Sequence, residues 1–285
     1  MTTTVKKLIS AALLAALAVG GSVATATTAS AVPSSIVTSS EFYSVSYGHS
    51  IDHVRKTFGN NGKVVDRYDG AGTRYDSVTL EFPTYYEEGS VRVLFGKNAK
   101  GAWVLDSKAA YWGVSATRTA NKATPTEFGK LKEGHSLDYV RSTFGTAGTI
   151  TYYYDRPGTK YDNVTVEWPT DSVDGAVSID FVKSTSGVWK LDSRSAYWAI
   201  EPAQTANKAT PAEFAKVQVG NSLAYAQSTF GTAGTITYYY DATGTKYDTV
   251  TIEWPTDSPY GYVSLDFKKS SAGTWKVSDS YAFWG

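Results

Sequence analysis

The sequence predicts an α+β fold of three tandem units, each two short helices packed on a four-stranded antiparallel sheet. Two observations carry that expectation. The first is a repeat whose register never slips. Phe42, Phe128 and Phe214 stand 86 residues apart, as do Gly48, Gly134 and Gly220, Pro83, Pro169 and Pro255, and Trp112, Trp198 and Trp284. The second is a change of period inside each copy, from helical spacing to strict alternation. The stretch STFGTAGTITYYYD, unchanged at 142–155 and 228–241, runs across that change.

Residues 1–31 read as a secretory signal peptide. Lys6 and Lys7 precede the apolar run Leu8–Gly20, and Ala29-Ser30-Ala31 is a small-residue cleavage site. No cysteine follows the apolar run, so no lipid anchor is expected. The units are then 36–113, 122–199 and 208–285, joined by short linkers in which TANKATP occurs at 119–125 and again at 205–211.

Within copy two, Thr124, Pro125 and Glu127 have the spacing of a capping box with proline at the first helical position. Thr38 with Glu41 and Thr210 with Glu213 repeat it. The helix that follows should bury Phe128 and Leu131 and end at Gly134. Ser136 should cap a second helix carrying Leu137, Val140 and Phe144 on one face, with Gly145 ending it.

Four alternating runs come next: Ile150–Tyr154, Val164–Trp168, Val177–Phe181 and Trp189–Leu191. Turn residues separate them at Pro157-Gly158, Asp174-Gly175 and Ser186-Gly187. Parity places Trp168, Trp254 and Phe82 against the helices. It places Tyr152 and Tyr154 inward, and Tyr153 and Tyr239 outward. If the last strands run on without a bulge, Trp112, Trp198 and Trp284 also face solvent.

Charge and composition narrow the function classes. The chain has 27 basic and 27 acidic residues and no cysteine. Such a balance argues against nucleic acid or an anionic membrane as partner. Without disulfides, packing must stabilise each unit, and eight tryptophans and 21 tyrosines supply the apolar area.

One resemblance adds to this. Phe128, Gly134, Ser136, Val140 and Gly145 form a pattern that copy one repeats as Phe42, Gly48, Ser50, Val54 and Gly59. Copy three keeps Phe214, Gly220, Ser222 and Gly231, with Ala226 for the valine. This pattern resembles the β-lactamase inhibitory protein family, and also the small lipoprotein domains of outer-membrane assembly. The resemblance implies a secreted inhibitor that grips its enzyme with the solvent face of its sheets and an acidic loop between strands two and three. The corresponding loops here are PTYYEEG, PTDSVDG and PTDSPYG, of which the first carries Glu87 and Glu88. The chain lacks the disulfide usual in that family, and it has three copies where two are usual.

The expectation is therefore a secreted, non-catalytic, monomeric binding protein without cofactor or metal. The expected binding residues are Tyr153, Tyr239, Arg67, Trp112, Trp198, Trp284, Glu87 and Glu88. An extracellular enzyme is the expected partner. The alternative is a module that binds a cell-wall polymer or other polysaccharide.

Each feature also has a plainer reading. The outward face, with Glu81, Arg92, Glu167, Asp180, Lys190, Glu253, Asp266 and Lys276, could be an ordinary solvated surface. Glu167 beside Asp180, and Glu253 beside Asp266, resemble a glycosidase pair, but the lysines can neutralise the aspartates. His49 and His53 have metal-ligand spacing, yet Tyr139 and Tyr225 stand at the second position in the other copies. The serine of Gly134-His135-Ser136 is a helix cap rather than a nucleophile. The GTKYD loops at 158–162 and 244–248 are hairpin turns rather than phosphate cradles.

Overall fold

A computed structural model describes residues 36–285, except 71–75, 157–161 and 243–247. The expected signal segment lies outside the described residues, as do the Pro157-Gly158 turn and most of both GTKYD loops. The elements begin with α1 (Ser39–Ser44), α2 (Ile51–Phe58), β1 (Lys63–Tyr68), β2 (Ser77–Pro83), β3 (Ser90–Lys97) and β4 (Trp103–Tyr111). They continue with α3 (Pro125–Lys130), α4 (Leu137–Phe144), β5 (Thr149–Asp155), β6 (Asn163–Pro169), β7 (Ala176–Lys183) and β8 (Trp189–Tyr197). The last are α5 (Pro211–Phe214), α6 (Leu223–Phe230), β9 (Thr235–Ala242), β10 (Thr249–Pro255), β11 (Tyr262–Lys269) and β12 (Trp275–Phe283).

The helix starts follow local chemistry. Thr38, Thr124 and Thr210 each accept the N–H of the glutamate three residues on, and that glutamate reaches back to the cap. Ser50, Ser136 and Ser222 cap the second helices, and Gly59, Gly145 and Gly231 end them in the left-handed conformation. α3 stops earlier than expected. Leu131 is already extended, and Gly134 lies in the next turn, where its N–H donates to the Leu191 carbonyl.

The expected fold class needs correction. The strands do not form three four-stranded sheets with helices above each. All twelve belong to one antiparallel sheet in the order β1 to β12. β4 pairs with β5 from Lys108↔Asp155 to Tyr111↔Tyr152, and β8 pairs with β9 from Ser193↔Ala242 to Tyr197↔Tyr238. An unpaired strand edge leaves N–H and C=O groups without partners. The short linkers hold neighbouring copies close enough for one copy's last strand to satisfy the next copy's first. Alternation within a copy carries no information about its edges.

Bulges overturn a second group of expectations. In β5, Ile150 faces Val166 and Tyr152 faces Thr165, so Thr151 is an extra residue. In β8, Leu191 faces Phe181 and Ser193 faces Asp180, which makes Asp192 extra. β9 and β4 shift in the same way. One extra residue turns every later side chain to the other face. Tyr153 and Tyr239 therefore lie on the helix side, half-buried, and pack against the cores. Trp112 and Trp198 are buried, and Trp284 packs half-buried against the third core. Arg67 faces the helix side too, opposite Val78, and is exposed because β1 lies at the sheet edge. Tyr152 and Tyr154 point outward instead of inward.

Where no bulge intervenes, parity holds. Trp168, Trp254 and Phe82 are fully buried. Gly148 lies beneath Trp168 with φ of 73°, and a Cβ there would come within 2.6 Å of the indole. Glycine is the residue that both the backbone conformation and the contact allow.

The tyrosines expected to bind a partner instead join the cores. Tyr153 packs edge-on to Phe42 at 5.7 Å and to Tyr43 at 5.3 Å, and so contributes to the core of copy one. Tyr239 meets Phe128 at 5.4 Å. Beside each of them a cation satisfies the end of a short helix. Lys108 Nζ donates to the carbonyls of Phe42 (2.9 Å) and Val45 (2.7 Å). Arg194 donates to those of Phe128 (2.7 Å) and Leu131 (2.6 Å), lies over the Phe128 ring and pairs with Asp241 at 3.1 Å. The bulges complete each joint, because the Thr151 and Thr237 carbonyls accept the N–H groups of Trp112 and Trp198.

Candidate binding face and first-joint groove

Register decides which side chains the sheet turns away from its helices. Tyr111 opposes Tyr152 across the first joint, and Tyr197 opposes Tyr238 across the second. Tyr154 and Tyr240 stand two residues further along the same strands. At the far end Tyr262 meets Tyr281 at 5.9 Å and Phe283 at 6.3 Å. Tyr111, Tyr197 and Tyr281 are about half exposed, at 46%, 52% and 56%. Burial pushes the hydroxyls of Tyr152, Tyr240 and Tyr262 above the usual phenol range. Neutral, flat rings with a polar tip are suited to contact at a partly desolvated surface.

The charged residues expected on this face lie beside and between the tyrosine pairs. Arg92 Nε donates to Glu81 at 2.7 Å. Asp180 accepts from Thr165 and Ser193, each at 2.6 Å, and Asp266 accepts from Thr251 at 2.7 Å. The linkers cross this side of the sheet: Thr117 N–H donates to Thr149 Oγ1 and Ala203 N–H to Thr235 Oγ1, both at 2.8 Å. Burial raises the Glu167 carboxyl above its usual range, against a hydrogen bond from the Ala116 backbone. Glu253 is raised by burial first and by Glu201 next. The face is therefore not uniformly open.

Glu167 and Asp180 do not oppose each other. Glu167 faces Ser178, and Asp180 faces Thr165. His49 Nδ1 accepts the Ser46 N–H at 3.0 Å, and its ring packs at a tilt against His53 with centroids 4.1 Å apart. His135 and Tyr139 pack at the same distance and a similar tilt, so ring packing accounts for both residue types at the second position.

The loop that carries Glu87 and Glu88 does reach a concave site. Both glutamates are exposed, and Tyr85 and Tyr86 just before them pack edge-on at 5.1 Å. Tyr85 and Tyr86, with Tyr43, Trp112, Ile150 and Arg141, line a groove of about 510 Å³ at the first joint, and Glu87 and Glu88 are not among its lining residues. The second joint has Gly129, Asp171, Ser172 and Gln227 where the first has Tyr43, Tyr85, Tyr86 and Arg141. The aromatic groove therefore depends on residues that the second joint does not repeat.

Sequence reasoning missed the outward tyrosine pairs because it had no bulge. The signal available was Tyr111 and Tyr197, the residues just before the last tryptophans. No helix among the described residues is long and apolar enough to cross a membrane. No protein-family model matches the chain, and no curated protein matches it either.

Proposed function

We propose that this chain is a secreted, non-catalytic binding protein that engages an extracellular protein through the outer face of its sheet and the loop Tyr85–Glu88. The observation that carries the reading is the recurrence of outward tyrosine pairs, Tyr111 with Tyr152 and Tyr197 with Tyr238, at both joints. Aromatic pairs on a sheet whose other face is taken up by packing have little structural reason to be there. Asp180 and Asp266 on the same face are engaged by neighbouring hydroxyls and Glu81 by Arg92, an arrangement suited to a fixed surface rather than to proton transfer. The resemblance to inhibitory proteins makes β-lactamases and penicillin-binding enzymes the first targets to try.

The test is capture. Immobilised chain is exposed to culture supernatant and to purified enzymes of both classes, beside Tyr111→Ala with Tyr152→Ala and Tyr197→Ala with Tyr238→Ala. The reading expects a defined protein to bind the parent and to bind each double variant at least about 30-fold less, since losing a central interface tyrosine often costs about 2 kcal/mol or more. Melting temperatures should change little. Equal capture by parent and variants would refute the face. Sedimentation with insoluble peptidoglycan or chitin, lost in the same variants, would favour polysaccharide as the partner.

A further inference from the structure

The two ends of the sheet are built like the two halves of its internal joints. β12 repeats the strands that form the near side of a joint: Ala282 and Trp284 stand where Ala110 and Trp112, and Ala196 and Trp198, stand. β1 repeats the far side. It keeps Tyr68 and Asp69 where β5 has Tyr154 and Asp155, and it keeps the bulge, with Val65 extra between Val64 and Asp66. In the sheet order β1 and β12 are the two edges.

We propose that the β12 edge of one chain pairs with the β1 edge of a second copy, joining chains head to tail and continuing the sheet. Applying the register of the internal joints, Ser280 meets Asp69, Tyr281 meets Tyr68, Ala282 meets Arg67 and Phe283 meets Asp66.

Two substitutions at the ends compensate for each other. Inside the chain the cation comes from the near side, as Lys108 or Arg194, and the far side brings a tyrosine. At the ends the near side has Ser280 and the far side has Arg67. A guanidinium seated where Tyr239 sits over Phe128 would lie against Phe214, beside the end of α5. It would bring the positive charge that Ser280 lacks. The carbonyl of the bulged Val65 would meet the N–H of Trp284, as those of Thr151 and Thr237 meet Trp112 and Trp198. Tyr281 and Phe283 are 56% and 44% exposed, and Tyr68 is 57% exposed; the contact would cover them and extend the outward tyrosine row. Such a contact is heterologous, so it produces head-to-tail chains or rings of copies rather than two-fold dimers.

Cysteine pairing tests this cleanly, because the protein has no cysteine of its own. Opposed residues of antiparallel strands lie within disulfide range. Tyr68→Cys and Tyr281→Cys proteins, made from the full sequence and checked for a parent-like melt, are mixed and oxidised gently. A crossed disulfide in several-fold excess over either like-with-like disulfide is expected, together with a parent sedimentation mass that rises with concentration. Adding Arg67→Glu should abolish both. Arg67→Tyr with Ser280→Arg, which rebuilds the internal joint, should strengthen association. A parent that stays monomeric throughout overturns the proposal and makes Arg67 a guard against pairing. Like-with-like disulfides in equal or greater yield also overturn it.

Discussion

The β8–β9 joint and the β12 edge have closely similar sequences and different surroundings. At the joint, Tyr239 and Arg194 fill the space beside Phe128 and end α3 with two hydrogen bonds. At the edge, Ser280 is exposed and Phe214 only half-buried, although Phe42 and Phe128 are buried. α5 is also shorter, at four residues against six in α1 and α3. The difference teaches that part of each copy's core is supplied by the next copy's first strand. Among the described residues, no further strand pairs with β12 to do the same for copy three.

The largest effect should come from the core tryptophans. Trp168→Ala and Trp254→Ala should each cost about 3–5 kcal/mol, the range for a fully buried aromatic. Hydrogen exchange would sharpen the comparison. Loss at Trp254 should release β9–β12 first, since that end has one neighbouring copy, whereas loss at Trp168 should lower protection on both sides. Equal, global loss from both would break the proposed difference.

Arg194→Ser imposes the edge residue on the joint. It removes charge-assisted hydrogen bonds to two carbonyls and leaves Asp241 unpaired, a loss of about 2–3 kcal/mol in urea unfolding. The reciprocal change, Ser280→Arg, should leave stability nearly unchanged. If Arg194→Ser were as mild, the cation would not be what closes the joint.

Tyr153→Ala and Tyr239→Ala should each cost about 2 kcal/mol, roughly half the loss at a fully buried aromatic. Both should lower the melting temperature while leaving capture of the partner intact below that temperature. Arg67→Ala, at the corresponding place on the sheet edge, should not lower it. A Tyr239→Ala protein with parent stability and lost capture would restore the outward reading of these tyrosines.

The smallest effect is electrostatic. Glu167 and Glu253 have pKa values raised in the folded chain, so folding favours their protonated forms. Stability from this source is fully present below the unfolded carboxylate pKa and is lost as pH rises through the folded value. Glu167→Gln with Glu253→Gln should therefore melt above the parent at neutral pH, and the gain should vanish as pH falls below the ordinary carboxylate range. Glu81→Gln should show no such gain, because Glu81 is paired with Arg92. A gain that persists at acid pH would show that desolvation of the charge is not its source.

The sequence by itself determined the local features of this protein. Thr124 and Ser136 start helices because a side-chain oxygen can satisfy a backbone N–H nearby, and Gly145 ends one because its backbone can turn left-handed. Trp168 could be placed inside because β6 runs its full length without interruption, so two-residue alternation needs no knowledge of its partner. For the exposed loop residues Glu87 and Glu88, position between two strands was enough. Tertiary structure alone decided the rest. A bulge is defined by counting against the opposite strand, so Thr151 and Asp192 become extra residues only once β6 and β7 are in place. That count reversed Tyr153, Tyr239 and the last tryptophans. The union of three expected sheets into one was equally out of reach, because alternation records which face a side chain takes and says nothing of what a strand's edge will meet.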